Sequence, residues 1–163
     1  MIHYVKGNLL DSNCNYICHQ VNCQGVMGSG IAKQIRERWP EVYKQYRDHY
    51  GYVDAVHYGN LIDYLLGSTD VVELCDGSGR HVINMYSQLK CGYDGKRYTS
   101  YGAFEEALSQ IKKRVPAGSK IGFPKNIGCG LGGGNWKVIS AMIEAELGDD
   151  YEVYIYEYEP KED

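Results

Sequence analysis

This 163-residue sequence predicts an α/β fold, a three-layer α/β/α sandwich around a central mixed sheet. Three observations carry that expectation. Short apolar segments of strand character alternate with longer segments whose apolar residues recur at helical spacing, and such alternation builds a sheet covered by helices. Two glycine runs, Gly25-Val26-Met27-Gly28-Ser29-Gly30-Ile31-Ala32 and Gly128-Cys129-Gly130-Leu131-Gly132-Gly133-Gly134, each follow a strand-like segment and precede a helix-like one. No repeat, low-complexity tract or linker interrupts the chain, so residues 1–163 are read as one domain, long enough to bury a core.

The elements follow in order. Ile2–Val5 alternates as a short strand, and Tyr16–Asn22 is a second. Ile31, Ala32, Ile35 and Trp39 fall at helical spacing, and Pro40 opens a further helix carrying Val42, Tyr43 and Tyr46, since proline suits a first helical turn. Val53–Tyr58, Val71–Leu74 and His81–Met85 read as strands, the last two joined by the turn Asp76-Gly77-Ser78-Gly79. Tyr101, Phe104, Leu108, Ile111 and Val115 trace one helical face behind a Thr99 or Ser100 N-cap, and Pro116-Ala117-Gly118 ends it. Lys120–Phe123 is a buried strand leading into the second glycine run. Trp136, Ile139, Ile143 and Leu147 form a helix capped by Asn135, Tyr151–Tyr158 is a final strand, and Glu159–Asp163 is expected to fray.

Composition excludes several function classes. No apolar run approaches the ~20 residues of a membrane span. The first residues lack the pattern of a secretory signal, so a cytoplasmic location is expected. The net charge of −4 argues against a grip on nucleic acid, which needs a basic face; Lys112-Lys113-Arg114 reads as a helix end complementing the dipole. Cys14, Cys18, Cys23, Cys75, Cys91 and Cys129 form no Cys-x-x-Cys pair, and on a strand Cys18 and His19 face opposite sides, so neither a metal nor a disulfide is expected. A zinc hydrolase built on Cys and His remains a minor alternative.

The glycine runs carry the chemistry. Glycine lets backbone N–H groups turn toward a ligand and lets phosphate approach without a Cβ in the way. A helix N-terminus behind such a loop adds free donors and about half a positive charge. Two such loops at strand-to-helix junctions suggest a clamp on a diphosphate, set beyond the carboxyl ends of the strands. The loops match neither a Walker pattern nor a dinucleotide fingerprint, whose glycine order and acidic ribose partner are missing.

The set Val5-Lys6-Gly7-Asn8-Leu9-Leu10, then Val21-Asn22-x2-Gly25 to Ala32, then Phe123-Pro124-x2-Ile127 to Gly133-x-Asn135-Trp136, resembles the macrodomains, which bind ADP-ribose. It is most similar to the branch holding DNA and terminal ADP-ribose glycohydrolases and the yeast ADP-ribose 1''-phosphate phosphatase. The resemblance implies that Asn8 accepts from the adenine amino group and that Leu9 offers its N–H beside the purine. It implies that Asn22 bonds the distal ribose, that Gly28, Ser29, Gly30 and Ile31 cradle one phosphate and help close over that ribose, and that Gly25, Val26 and Met27 of the same loop belong to the ligand site. Gly128, Cys129, Gly130, Leu131, Gly132 and Gly133 would cradle the other, with Tyr156 beside the adenine.

For catalysis the resemblance implies His19 as a proton carrier and Asn22 as holder of an attacking water. The glycohydrolase lysine is replaced by Gln88, with Lys90 two residues on, and the loop aspartate is replaced by Gly132. The expected function is binding of ADP-ribose or a 1''-substituted derivative, without a cofactor. Hydrolysis would act at the 1'' position, on ADP-ribose 1''-phosphate first and on an ADP-ribosylated macromolecule second, without sequence-specific nucleic-acid contacts. A non-catalytic reader or sequestering protein is the alternative.

Overall fold

A computed structural model describes residues 1–92 and 94–159. Six strands form one sheet: β1 (Ile2–Lys6), β2 (Tyr16–Asn22), β3 (Thr69–Glu73), β4 (His81–Gln88), β5 (Lys120–Pro124) and β6 (Glu152–Glu157). Their spatial order is β1-β6-β5-β2-β4-β3. Every neighbouring pair is parallel except β3 and β4. That exception follows from the Asp76–Gly79 turn, since a link this short can only reverse the chain.

Helices α1 (Gly30–Arg38), α2 (Pro40–Val56) and α3 (Leu61–Leu65) cover one face, and α4 (Tyr101–Arg114) and α5 (Trp136–Leu147) the other. Strand alternation sorts the core between them. Ile17, Val21, Val82 and Tyr86 pack toward α1 and α2, whereas Cys18, Ile83, Met85, Phe123 and Ile155 pack toward α4 and α5. Ser100 caps α4 by accepting from the Ala103 N–H at 3.1 Å, and Asn135 caps α5 by accepting from Lys137 at 2.9 Å.

One expected strand is a helix. Residues 53–56 are the last turn of α2, which runs seventeen residues. Val42, Tyr46 and Val53 are its buried residues and lie on one helical face, while Val56 and Tyr58 are exposed. A buried strand would have hidden alternate residues of 53–58 instead. The short helix α3 was not foreseen either. Of the expected fraying tail, residues 160–163 lie outside the described residues.

The sheet opens at its carboxyl edge. β2 and β5 pair only at Tyr16–Ile121 and Ile17–Gly122. Gly122 sits where a Cβ would lie 2.4 Å from Leu9 Cδ1, so the single helical turn Leu9–Asp11 passes over glycine there. Beyond that point Gln20–Asn22 and Pro124–Asn126 stand on opposite walls of a cleft.

Candidate functional site

The cleft has a volume of about 500 Å³. Its floor is Gln20, Val21 and Asn22 from the end of β2 and Gln88 from the end of β4. One wall is Val26, Gly28, Ser29, Gly30, Ile31 and Ala32, the second is Gly128, Gly130, Leu131 and Gly132, and Lys125 and Asn126 form the lip after β5. A second recess of about 220 Å³ continues past Gly30, Ile31 and Pro124, which the two share. Gly7, Asn8, Leu9, Gln34, Tyr156 and Tyr158 line it.

Both glycine loops present unpaired donors. Gly30 adopts φ +57, a left-handed conformation that glycine takes without strain, and it starts α1 behind Ser29. The first α1 bond among the described residues runs from Lys33 N–H to Ser29 O, leaving the N–H groups of Gly30, Ile31 and Ala32 as free helix-terminal donors. In the second loop Cys129, Gly133 and Gly134 donate inward, to Asn126, Gly130 and Gly128. No protein acceptor among the described residues takes the N–H of Gly130, Leu131 or Gly132.

The glycines of the second loop have a packing reason as well. A Cβ on Gly132 would lie 2.3 Å from Thr99 Oγ1 and 2.8 Å from Gly128 O. Thr99 belongs to a network under the loop. Its hydroxyl donates to Gly128 O at 2.7 Å and accepts from Gln20 Nε2 at 2.9 Å. Gln20 Nε2 also donates to Gln88 Oε1 at 3.0 Å, and Ser87 Oγ donates to Gln20 Oε1 at 2.8 Å. Gln88 in turn donates to Lys90 O. These partners, from β2, β4 and the segment before α4, fix the height of the loop above the floor.

Asn22 is spent on holding the first loop. Its Nδ2 donates to Val26 O at 2.8 Å and to Cys91 Sγ at 3.0 Å. Its Oδ1 accepts from Gln24 N–H at 3.0 Å and from Tyr46 OH at 2.7 Å. Only the bond to sulfur is weak, so a ligand hydroxyl that outcompetes Cys91 gains an Nδ2 proton without undoing the loop.

Several expected site residues lie elsewhere. His19 is fully buried between Ile17 and Val21 on the α1–α2 face and does not line the cleft. Its Nε2 meets Asn84 Oδ1 at 2.5 Å. Asn84 Nδ2 donates to Asp70, which also accepts from Tyr86 OH and pairs with His49. Burial pushes the His19 imidazole from its ordinary 6.5 down to about 4, so it is neutral near pH 7 and is not a proton carrier for the cleft. Gly25 faces away, its carbonyl accepting from Arg47. Met27 is buried in the core below the loop, Cys129 lies behind the second loop with its thiol donating to Ile127 O, and Gly133 packs on the backbone of Lys96 and Arg97.

The remaining expected residues line the cleft or its recess. Asn8 is in the recess, where its Oδ1 also caps the Leu9–Asp11 turn by accepting from Leu10 N–H. Lys90 is not in the cleft; its ammonium sits 5.1 Å over the Tyr98 ring. Cleft residues missed in the sequence are Gln20, Cys91, Lys125 and Asn126. Among the described residues Cys91 and Lys125 are the titratable side chains of the main cleft: burial raises the Cys91 pKa, and Lys125 faces Glu157 at 3.8 Å. Asn126, at φ +65, carried the one available signal, because asparagine tolerates that conformation at a strand-end turn. Among the described residues no three His, Cys, Asp or Glu side chains converge on a metal site.

No family model matches the chain. It is 25% identical over 163 residues to a 17.5 kDa uncharacterized protein of the tk–vs intergenic region of Enterobacteria phage T4, covering 98% of each. It is 26% identical over 168 residues to a Thermus aquaticus DNA ADP-ribosyl glycohydrolase, spanning 99% of this chain and 42% of that protein. A 55-residue stretch is 42% identical to an ADP-ribose 1''-phosphate phosphatase of Scheffersomyces stipitis, 30% of this chain and 32% of that one. This chain spans only 13% of the length of the mycobacterial DNA ADP-ribosyl glycohydrolases it also matches. The macrodomain of Mycobacterium tuberculosis DarG superposes with a TM-score of 0.76 at 24% identity, covering 99% of both chains. Thermosipho africanus DarTG in complex with ADP-ribose superposes at 0.74 with 18% identity, covering 99% of this chain and 43% of that one. Strand order, the cleft at the carboxyl edge and superposition over the full length agree: the chain has the macrodomain fold.

Proposed function

We propose that the protein binds ADP-ribose, or a derivative substituted at C1'' of the distal ribose, and hydrolyses that substituent. Orthophosphate is the preferred leaving group and an ADP-ribosyl conjugate the second substrate class. The observation that carries this reading is the pair of glycine loops facing each other over one cleft that continues into the Asn8–Tyr156 recess. Free N–H groups on both walls suit the two phosphates of a diphosphate, and the recess offers an aromatic side chain and polar groups to a base. The relatives named for ADP-ribosyl glycohydrolase and ADP-ribose 1''-phosphate phosphatase activity, and the ADP-ribose complex of the Thermosipho protein, support the ligand class.

The mechanism is positioning. The loops fix the diphosphate and so place the distal ribose over Asn22 and Gln88, where a held water attacks C1''; the C1''–O bond breaks with its electron pair going to orthophosphate, which takes up the water's proton, and ADP-ribose remains. The backbone donors are already oriented toward the diphosphate, so holding the ribose in place needs no reorganisation of the loops.

A second reading, a reader or sequestering protein without turnover, is favoured by a specific observation. Among the described residues the main cleft offers no carboxylate and no imidazole: Gln88 stands in the lysine's place, Gly132 in the aspartate's, and His19 lies in the core. One experiment separates the readings. The purified protein is incubated with ADP-ribose 1''-phosphate and with ADP-ribosylated protein and DNA, while calorimetry measures ADP-ribose and AMP with and without Mg²⁺. Hydrolysis requires released phosphate or ADP-ribose. Metal-independent binding that favours ADP-ribose at least tenfold, without product, selects the reader. Equal affinities for ADP-ribose and AMP overturn both.

A further inference from the structure

We infer that Tyr46, a core residue of α2, is a positioning residue for the cleft, acting through Asn22 and the first glycine loop. The inference rests on the reading of the cleft as an ADP-ribose site and assigns a further residue to it. Tyr46 is wholly buried, yet its hydroxyl sits at the turn that follows β2. It accepts from Val26 N–H at 3.0 Å, and it lies 2.8 Å from Asn22 O and 2.7 Å from Asn22 Oδ1, which share its single proton. One atom therefore fixes the backbone where β2 ends, the Asn22 amide orientation and the entry of the loop.

The orientation matters because an amide has two ends of opposite character. With Oδ1 held by Tyr46 and by Gln24 N–H, Nδ2 is turned toward Val26 O and Cys91. A flipped Asn22 would present an acceptor to the cleft, set its NH₂ group against the Gln24 N–H and set its oxygen against Val26 O. Tyr46 is itself braced. Its ring packs on Tyr86 with centroids 5.6 Å apart, and Tyr86 OH donates to buried Asp70, which also holds Asn84 and His49. This strut joins the α2–β3–β4 side of the core to the floor of the cleft without touching the ligand volume.

Tyr46→Phe keeps the ring and removes the hydroxyl. Calorimetry is expected to give ADP-ribose affinity lowered about tenfold, while AMP, which has no distal ribose to set over Asn22, binds as to wild type. In an Asn22→Ala background the same change is expected to add less than about twofold, because both substitutions act on one unit. Wild-type ADP-ribose affinity in Tyr46→Phe, equal losses for ADP-ribose and AMP, or full additivity with Asn22→Ala overturns the inference. If Tyr46→Phe fails to fold, amide exchange on the wild-type protein decides. Slow exchange at Val26 N–H supports the strut and solvent-like exchange overturns it. Exchange needs no ligand, so a wild-type protein that binds no ADP-ribose but protects Val26 sinks the reading of the cleft and leaves the strut standing.

Discussion

His19 Nε2 lies 2.5 Å from Asn84 Oδ1, and both side chains are wholly buried on the sheet face covered by α1 and α2. Because Asn84 gives its Nδ2 proton to Asp70, Asn84 Oδ1 accepts and His19 Nε2 carries the proton. His19 Nδ1 has no partner among the described residues. Protonating it would bury an uncompensated charge, which is the cause of the low pKa.

That arrangement makes stability depend on pH. The folded pKa of His19 is depressed, from 6.5 to about 4. The unfolded chain therefore binds this proton first as pH falls. The stabilisation is complete above pH 6.5 and is lost as pH drops toward 4, by an amount on the order of 3 kcal/mol. Urea unfolding of wild type and His19→Gln over this window checks it: the wild-type curve is expected to fall more steeply. Turnover per folded molecule is expected to be unchanged within about twofold in the variant.

Gly30→Val tests the first wall. No atom lies within 4 Å of the added Cβ, so packing alone would tolerate it, but φ +57 strains a branched residue. Stability should fall by about 1–2 kcal/mol, and ADP-ribose affinity by at least about a hundredfold, because the side chain stands among the free N–H groups of α1. A folded variant with retained affinity would make the loop a turn and nothing more.

Gly132→Ala tests the second wall. Its Cβ collides with Thr99 Oγ1 and with the Gly128 carbonyl, so the loop must lift off the Gln20–Thr99 network. A loss of roughly tenfold or more in ADP-ribose affinity is expected. Thr99→Ala added to Gly132→Ala should restore part of the loop's amide protection but not all, since the backbone collision at 2.8 Å remains.

Lys90→Ala tests the catalytic lysine. Lys90 lies over Tyr98, outside the cleft. Turnover of ADP-ribose 1''-phosphate should stay within about twofold of wild type. Gln88→Ala removes a floor contact of Gln20 and should cost a few-fold. If Lys90→Ala alone abolishes turnover, the segment moves on binding and the lysine enters the site.

The local pattern of the chain was enough to place the six strands and helices α1, α2, α4 and α5, to narrow the α4 cap to Thr99 or Ser100, to cap α5 at Asn135, and to locate two glycine loops at strand ends. These features depend on neighbours a few residues apart, which a sequence displays directly. It misread Val53–Tyr58, where a short apolar-polar alternation resembled a strand. The position of α2 against the sheet decided otherwise by burying Val42, Tyr46 and Val53 together. Tertiary structure alone decided which side chains reach the cleft. His19 and Gln20 are adjacent in sequence, yet alternation sends His19 into one core and Gln20 to the floor beneath the second loop. The partners that fix those roles, Asn84 for His19 and Thr99 for Gln20, are 65 and 79 residues away. A side chain's function there depends on what the fold brings opposite it, which no local spacing encodes.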